Sequence, residues 1–266
     1  MGGDDDQGGR EQGGRHQVEL PDGRTVVAVS EDDCRFAWDE IFQQHSYREA
    51  ARLVRPGGAV VDVGAHLGLS SRYFLEHTPA DVILACEPAS ATFACLVANV
   101  AGADRIRPMR LALGRRNGTG RLTYYPDAPT QSGLYADPTR DEATTVAYLE
   151  HQGYRPREAR FLAAGIHEGQ AEQVEVLTLS ELLERCCVGR VDLVKIDVER
   201  SELDVLDGID QGDWHRIGAL VVEVHDVDGR LARCRDLLAG HGLRVRTWQE
   251  PWLAGSELHS ALAVRP

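Results

Sequence analysis

Val60-Val61-Asp62-Val63-Gly64-Ala65-His66-Leu67-Gly68 decides the fold. Apolar residues flank a single acid, two glycines follow, and a new apolar pattern begins at Leu67. Consecutive apolar positions suit a strand buried on both faces, and such strands belong to parallel sheets. Gly64 permits a tight turn, and Gly68 lets a helix start close to the strand. A strand, a glycine turn and a helix in that order make a ligand site at the carboxyl end of the strand. The helix N-terminus there favours a carboxylate.

Outward from this unit the alternation repeats. Positions 82–86 form a second strand ending at Glu87-Pro88, and 91–100 a helix with Phe93, Leu96 and Val100 on one face. A third strand is expected over 106–113, closed by Gly114, with an extended piece at 120–125. Thr178-Leu179-Ser180-Glu181 is a capping box that opens a helix running to Cys187. Positions 191–198 and 219–224 are apolar strands, with helices at 201–206 and 231–238. The last strands, 243–248 and 260–264, have no helix between them and should pair antiparallel. Upstream, 18–30 alternates around Pro21-Asp22-Gly23 as a hairpin, and 36–54 has helical spacing that stops before Pro56-Gly57-Gly58.

The expectation is an α/β fold: a doubly wound, seven-stranded sheet with a terminal antiparallel strand, in one domain over 17–266. This is the strand pattern of class I, Rossmann-like methyltransferases. Residues 1–16 are glycine, acid and glutamine with no apolar residue after Met1, and are expected to be a disordered tail. Residues 126–172 interrupt the alternation, with one helix around 142–151. An interruption that long usually covers a site or is mobile, so a lid over an acceptor is expected.

The chain has 266 residues, with 42 acids against 29 Lys and Arg and a net charge of −13. That balance and the absence of a basic stripe argue against a nucleic-acid partner. No stretch is apolar enough to span a membrane and no signal pattern opens the chain, so a cytoplasmic location is expected. The six cysteines show neither a CxxC pair nor zinc spacing, and Cys86 and Cys95 lie in apolar contexts as small core residues. A small-molecule acceptor is the expected partner, with a homodimer left open.

Two cofactor classes share a glycine turn. The dinucleotide fingerprint needs a middle glycine so that the backbone can approach a pyrophosphate. His66 stands in that place, so the fingerprint fails. S-adenosylmethionine has no phosphates, and its ammonium and sulfonium suit nearby acids such as Asp62. Glu87, at the end of the second strand, can accept both ribose hydroxyls. Ala65, Ser70, Pro88, Ala112 and Leu113 complete the expected cofactor wall, with S-adenosylhomocysteine as the product.

A second constellation follows the later strands. Asp197 and Glu199 end one, and His225-Asp226 ends the next. If these strands adjoin, the four side chains converge. His225 is the expected general base, since its ordinary pKa lies near neutrality. Asp197 or Glu199 would orient it or face the cofactor's cationic end. A magnesium ion on Asp197 and Asp226 is the less favoured arrangement, and no metal is assigned. Lys195, the only lysine, should pair with an acid such as Glu223. Tyr47, Tyr73 and Phe74 are candidate cofactor-wall aromatics. Tyr124, Tyr125, Ser132 and Tyr135 are candidate acceptor contacts.

Together VVDVGAHLG at 60–68, CEPASATFACLVANV at 86–100 and LVKIDVERSELDVLDGI at 193–209 resemble the FkbM family of methyltransferases. The most specific of these is the KIDVE strand followed by an xELxxLxG helix. The resemblance spans most of 48–225. It implies transfer from S-adenosylmethionine, usually to an oxygen of a sugar, polyketide or carboxylate-bearing metabolite. It also implies that Asp62, Gly64, Gly68 and Glu87 bind the cofactor and that Asp197 lies beside it. Two positions depart from the family pattern. Arg200 stands where a glycine is common, and His66 stands where an asparagine is common. The competing readings are a nicotinamide-dependent oxidoreductase and a non-catalytic binding module of the same fold.

Overall fold

A computed structural model describes residues 14–266. The expected tail falls almost wholly outside the described residues, although His16 already belongs to the first strand. Strands β1 (His16–Glu19) and β2 (Thr25–Ala28) form the expected antiparallel hairpin, with Val18 opposite Val26. Helix α1 (Glu31–Trp38) is capped by the Ser30 hydroxyl, which accepts from the Asp33 N–H. It runs on into a π-helical turn, Asp39–Gln43, and the short α2 (Arg48–Ala51) follows.

Four elements then build the first half of the sheet: β3 (Ala59–Val63), α3 (Leu69–His77), β4 (Val82–Cys86) and α4 (Ser90–Asn99). Next come β5 (Ile106–Met109), β6 (Ala112–Leu113), β7 (Gly118–Tyr124), α5 (Pro138–His151), α6 (Pro156–Ala163) and β8 (Gln170–Leu177). The last part holds α7 (Leu179–Arg185), β9 (Val191–Ile196), α8 (Glu202–Asp207), β10 (Ile217–His225), α9 (Arg230–Gly240), β11 (Arg244–Trp248) and β12 (Leu258–Val264).

The main sheet has seven strands in the order β11-β12-β10-β9-β3-β4-β5. Only β12 runs against the others, wedged between β10 and β11. One face carries Val60, Leu193 and Ala219 against the hairpin and helices α1 to α4. The opposite face carries Val61, Val194, Ile196 and Val222 against α7, α8 and α9.

The expected strand 106–113 is two strands. β5 stops at Met109, whose carbonyl accepts from both Glu87 and Leu111. The chain kinks there, and Ala112–Leu113 joins a second sheet of order β6-β8-β7. The interruption after 126 is more ordered than its composition suggests. It holds α5, α6 and the start of β8, which pairs antiparallel with β7 from Gly118 to Tyr124.

Candidate active site

The glycine turn sits where β3, β4 and β9 end together. Gly64 has φ +78°, and a Cβ there would fall 1.8 Å from the Asp197 carbonyl oxygen. No other residue can occupy that approach. The Gly64 and Ala65 N–H groups both donate to the Cys86 carbonyl, lacing the turn to β4. The His66 N–H donates to Glu87 Oε2 at 3.0 Å. Glu87 Oε1 accepts from the Ala89 N–H at 2.9 Å and the Thr92 hydroxyl at 2.8 Å. Burial raises the Glu87 pKa, and these three donors offset part of the shift. Its carboxyl is thereby held in one orientation at a cavity wall.

Behind the turn lies a buried ion cluster. Lys195 Nζ is 3.3 Å from Asp62 Oδ1 and 3.2 Å from Asp197 Oδ2, and it donates to the Gly64 carbonyl at 2.7 Å. Burial works against its charge, but Asp197 and Asp62 raise its pKa above the usual value. The expected Lys195–Glu223 pair is not formed. In the sheet register Lys195 lies beside Asp62, so that acid takes the ammonium. Asp62 Oδ2 also accepts from the Ser70 and Ser71 hydroxyls at 2.6 Å each. Asp62 is fully buried and lies outside the cavity wall, so it offers no carboxylate to a ligand's cation. Gly68 also lies behind the wall, packed on Leu96.

A second ion cluster closes the other end. His225 Nδ1 is 2.7 Å from Glu202 Oε1, and Nε2 is 2.9 Å from Glu199 Oε2. Burial opposes a charged imidazole, but Glu199 and Glu202 raise the His225 pKa well above its usual value. The ring is buried, has a carboxyl on each nitrogen and does not reach the cavity. A histidine off the cavity wall with both nitrogens engaged by carboxyls cannot reach an acceptor's proton, which corrects the expectation of a His225 base. Glu199 does line the cavity, and its pKa is raised by burial against the opposing pull of His225. Asp226 lies outside the wall and accepts from the Leu231 N–H, so it does not join Asp197. Among the described residues no group of three or more His, Cys, Asp and Glu side chains is placed to hold a metal ion.

Residues 129–134 cross the cavity as a strap. At one end the Thr130 N–H and hydroxyl both donate to Asp33 Oδ2 at 3.1 Å. At the other, Gly133 lies on Glu199, where an added Cβ would sit 2.8 Å from the Glu199 Cβ. Past the strap, Asp141 of α5 takes Arg200 Nη1 at 2.5 Å and the Tyr125 hydroxyl at 2.9 Å. Glu257 takes the other arm of Arg200 at 2.7 Å. The cavity beneath encloses about 1060 Å³, counting the part open to solvent.

A family model described as the methyltransferase FkbM domain matches residues 62–245. A 31-O-demethyl-FK506 methyltransferase from Streptomyces tacrolimicus is 36% identical over 93% of this chain and 96% of its own length. The chain belongs to the FkbM methyltransferase family. Methyltransferase 1 of Beauveria bassiana is 31% identical over 89% of this chain and 92% of its own length. The AMB antimetabolite synthetase AmbE of Pseudomonas aeruginosa is 31% identical over 94% of this chain, which covers 12% of that larger protein. The fold is that of the class I, Rossmann-like methyltransferases, as the strand pattern implied.

Within this FkbM domain, the departure at 200 has a backbone origin. Glu199 and Arg200 have φ of +42° and +67°, the left-handed region that glycine enters without strain. Arg200 is held there by the two carboxylates on its guanidinium. His66 also has positive φ, at +49°. Its buried Nε2 has no partner among the described residues, and burial pushes its pKa down to about 3. It is a neutral ring with an unmet polar atom at the cavity wall.

Gly64, Ala65, Ser70, Pro88, Ala112 and Leu113 line the same cavity, as does Asp197. The Ser70 hydroxyl itself turns back to Asp62. Of the aromatics, Tyr47 lines the cavity, while Tyr73 packs edge-on and Phe74 tilted against it in the core. Ser132 lines it too, whereas Tyr124, Tyr125 and Tyr135 do not. Reading the residues in order missed Glu40 and Thr130, and took Glu223 for a paired core acid. Glu223 lies in register just past Val222, which pairs with Ile196, so it stands beside Asp197 at the strand ends. That position was available from the two strand patterns.

Proposed function

We propose that this methyltransferase uses S-adenosylmethionine to methylate an oxygen of a small, uncharged acceptor. The observation that carries this reading is the Glu199 carboxylate, held at the cavity wall by a buried imidazolium. The donor fits the residues present. Glu87 would take the ribose hydroxyls, Ala112 and Leu113 would flank the base, and the free His66 Nε2 would meet a polar group of the amino-acid end. The donor, when bound, supplies an electrophilic methyl group. Glu199 accepts the proton of an acceptor hydroxyl. Its raised pKa makes it a better base than an exposed carboxylate, while His225 keeps it ionised enough to act. The strap and Gly133 exclude water from that end of the cavity. The carboxyls of Asp197 and Glu199 on the cavity wall disfavour an anionic acceptor. The printed name of the Streptomyces relative, an O-demethyl compound's methyltransferase, supports oxygen as the atom attacked.

Titration calorimetry with S-adenosylhomocysteine and NAD tests the donor. Heat with the first and none with the second is expected, and the reverse would replace the methyl donor by a nicotinamide. Glu87→Ala should weaken S-adenosylhomocysteine at least about tenfold, because a charged acceptor is lost. With a labelled donor and a panel of hydroxylated metabolites, Glu199→Gln should cut transfer about a hundredfold or more while leaving product affinity in place. Full transfer by that variant would remove Glu199 as the base.

A further inference from the structure

Glu199 and Arg200 take consecutive left-handed conformations, at φ +42° and +67°. Neither is a glycine, so each is held there against its own preference. The hold is polar and comes from several segments. The Arg200 N–H donates to Glu202 Oε1 at 3.1 Å, and the Arg200 carbonyl accepts from Arg230 Nη1. The side chain is buried and reaches two acids that are remote in sequence. Nη1 donates to Asp141 Oδ1 at 2.5 Å, while Nε and Nη2 donate to Glu257 Oε1 at 3.1 and 2.7 Å.

Asp141 belongs to α5, within the 126–172 interruption, and is itself buried. Its second oxygen accepts from the Tyr125 hydroxyl at 2.9 Å and from the Asp137 N–H at 3.0 Å. Arg140, its neighbour, lies 3.7 Å from Glu257 Oε2, so α5 meets the segment between β11 and β12 a second time. Arg200 is thus the point where the inserted helix, that segment and the turn bearing Glu199 are joined. Neither Arg200 nor Asp141 lines the cavity, whereas Glu199 does. A glycine at 200 would enter the left-handed region without strain but would carry no link to α5. The turn itself does not need an arginine, and what the arginine adds is that link.

We infer that Arg200 is a positioning residue for Glu199, and that the seating of α5, carried through Asp141, sets the backbone from which the Glu199 carboxyl meets the cavity. This rests on Glu199 as the base proposed above. Arg200 lies off the cavity wall and acts through Glu199 alone. The strap bears on the same backbone from the cavity side, since a Cβ at Gly133 would sit 3.0 Å from the Glu199 carbonyl oxygen. Cover and base are therefore assembled together. With α5 seated, Glu199 is held in its left-handed turn. With the Asp141 link cut, the turn can relax and the carboxyl loses its aim.

The test is a double-mutant cycle on the intact chain, read with a labelled donor and the hydroxylated panel. Arg200→Gly and Asp141→Asn should each lower kcat about tenfold or more, with S-adenosylhomocysteine affinity changed by less than about twofold. In a Glu199→Gln background, where the base is already gone, Arg200→Gly should cost less than about a further twofold. A tenfold loss that recurs in that background makes Arg200 a packing residue and overturns the inference. So does a fall in product affinity as large as the fall in kcat. If Glu199→Gln transfers fully, the base reading fails and takes the inference with it. If that variant is impaired while Arg200→Gly and Asp141→Asn turn over as the wild type does, the inference alone fails. A second measurement needs no acceptor. Amide hydrogen exchange of Asp141→Asn should be about tenfold faster or more over 199–202, while β9 keeps its protection. Unchanged exchange at 199–202 means that α5 does not hold this turn, and the inference is lost.

Discussion

Two buried cations hold this site, and they are built alike. Lys195 lies between Asp62 and Asp197, and His225 lies between Glu202 and Glu199. In each case one acid is sealed in the core and the other meets the cavity. Side-chain exposure is 0% for Asp62 and 1% for Glu202, against 32% for Asp197 and 13% for Glu199. The sealed acid fixes the cation, and the cation fixes the cavity acid. They differ in what else the cation does. Lys195 also donates to the Gly64 carbonyl, so it holds the backbone of the cofactor turn. His225 donates its ring protons to carboxylates alone, and its charge depends on them. One cluster therefore supports architecture, and the other bears on the protonation of a cavity carboxyl.

The sharpest way to break this contrast is to remove the lysine. Lys195→Met leaves Asp62 and Asp197 without their cation and frees the Gly64 carbonyl. Losing one partner of a buried ion pair costs about 3–5 kcal/mol. In a chain of this length that corresponds to a fall in Tm of roughly 10 °C. Calorimetric melting should show it, along with lost binding of S-adenosylhomocysteine. A variant that melts as the wild type does would mean that the ammonium is dispensable to the turn.

Removal of the histidine charge should act on pH dependence. His225→Asn keeps a polar side chain but takes away the cation beside Glu199. Desolvation of Glu199 is then less opposed, so its pKa rises further above the ordinary range. If Glu199 is the base proposed above, transfer needs it ionised, so the acidic limb of the turnover profile should move to higher pH, by about one unit or more. Product affinity should hold, because His225 is off the cavity wall. A profile that falls in height without moving along the pH axis would make His225 a packing residue only.

The strands that lead to these clusters were legible in the residues: 59–63 and 82–86 are apolar runs that end at the cavity, and the run read over 191–198 forms a strand over 191–196. The proposed donor rests on the same stretch, since His66 stands where a dinucleotide turn needs its middle glycine. The roles of individual acids were not legible, because strand position does not reveal which oxygen is covered. Asp62 seemed free for a ligand until two serines and Lys195 enclosed it. His225 seemed a free base because Glu202, from the helix after β9, could not be placed against it by spacing. The strap was least visible. Its anchor, Asp33 with Thr130, spans 97 positions, and the Arg200–Asp141 pair past it spans 59, so neither follows a local pattern.

Asp33 supplies the smallest expected effect and a counterpoint to both clusters, because its partner is a hydroxyl and an N–H in place of a cation. Burial raises its pKa to about 6, and the bonds from Thr130 offset only part of that. The folded chain therefore binds this proton more tightly than the unfolded chain does. Stability from this group is fully present below about pH 4 and is lost as pH rises through 6. Its place in the first turn of α1 moderates the penalty, since a helix N-terminus favours an anion. Asp33→Asn keeps an oxygen to accept from Thr130 and has no charge to desolvate. Urea unfolding should find it more stable than the wild type at pH 7.5, by an amount on the order of 1 kcal/mol, and equal at pH 4. A variant less stable than the wild type at both pH values would mean that the strap depends on the negative charge of Asp33, and that a cation has been overlooked there. Equality at low pH with a gain at high pH would show that a desolvated carboxyl without a cation is held at a cost, which is the condition the two ion clusters avoid.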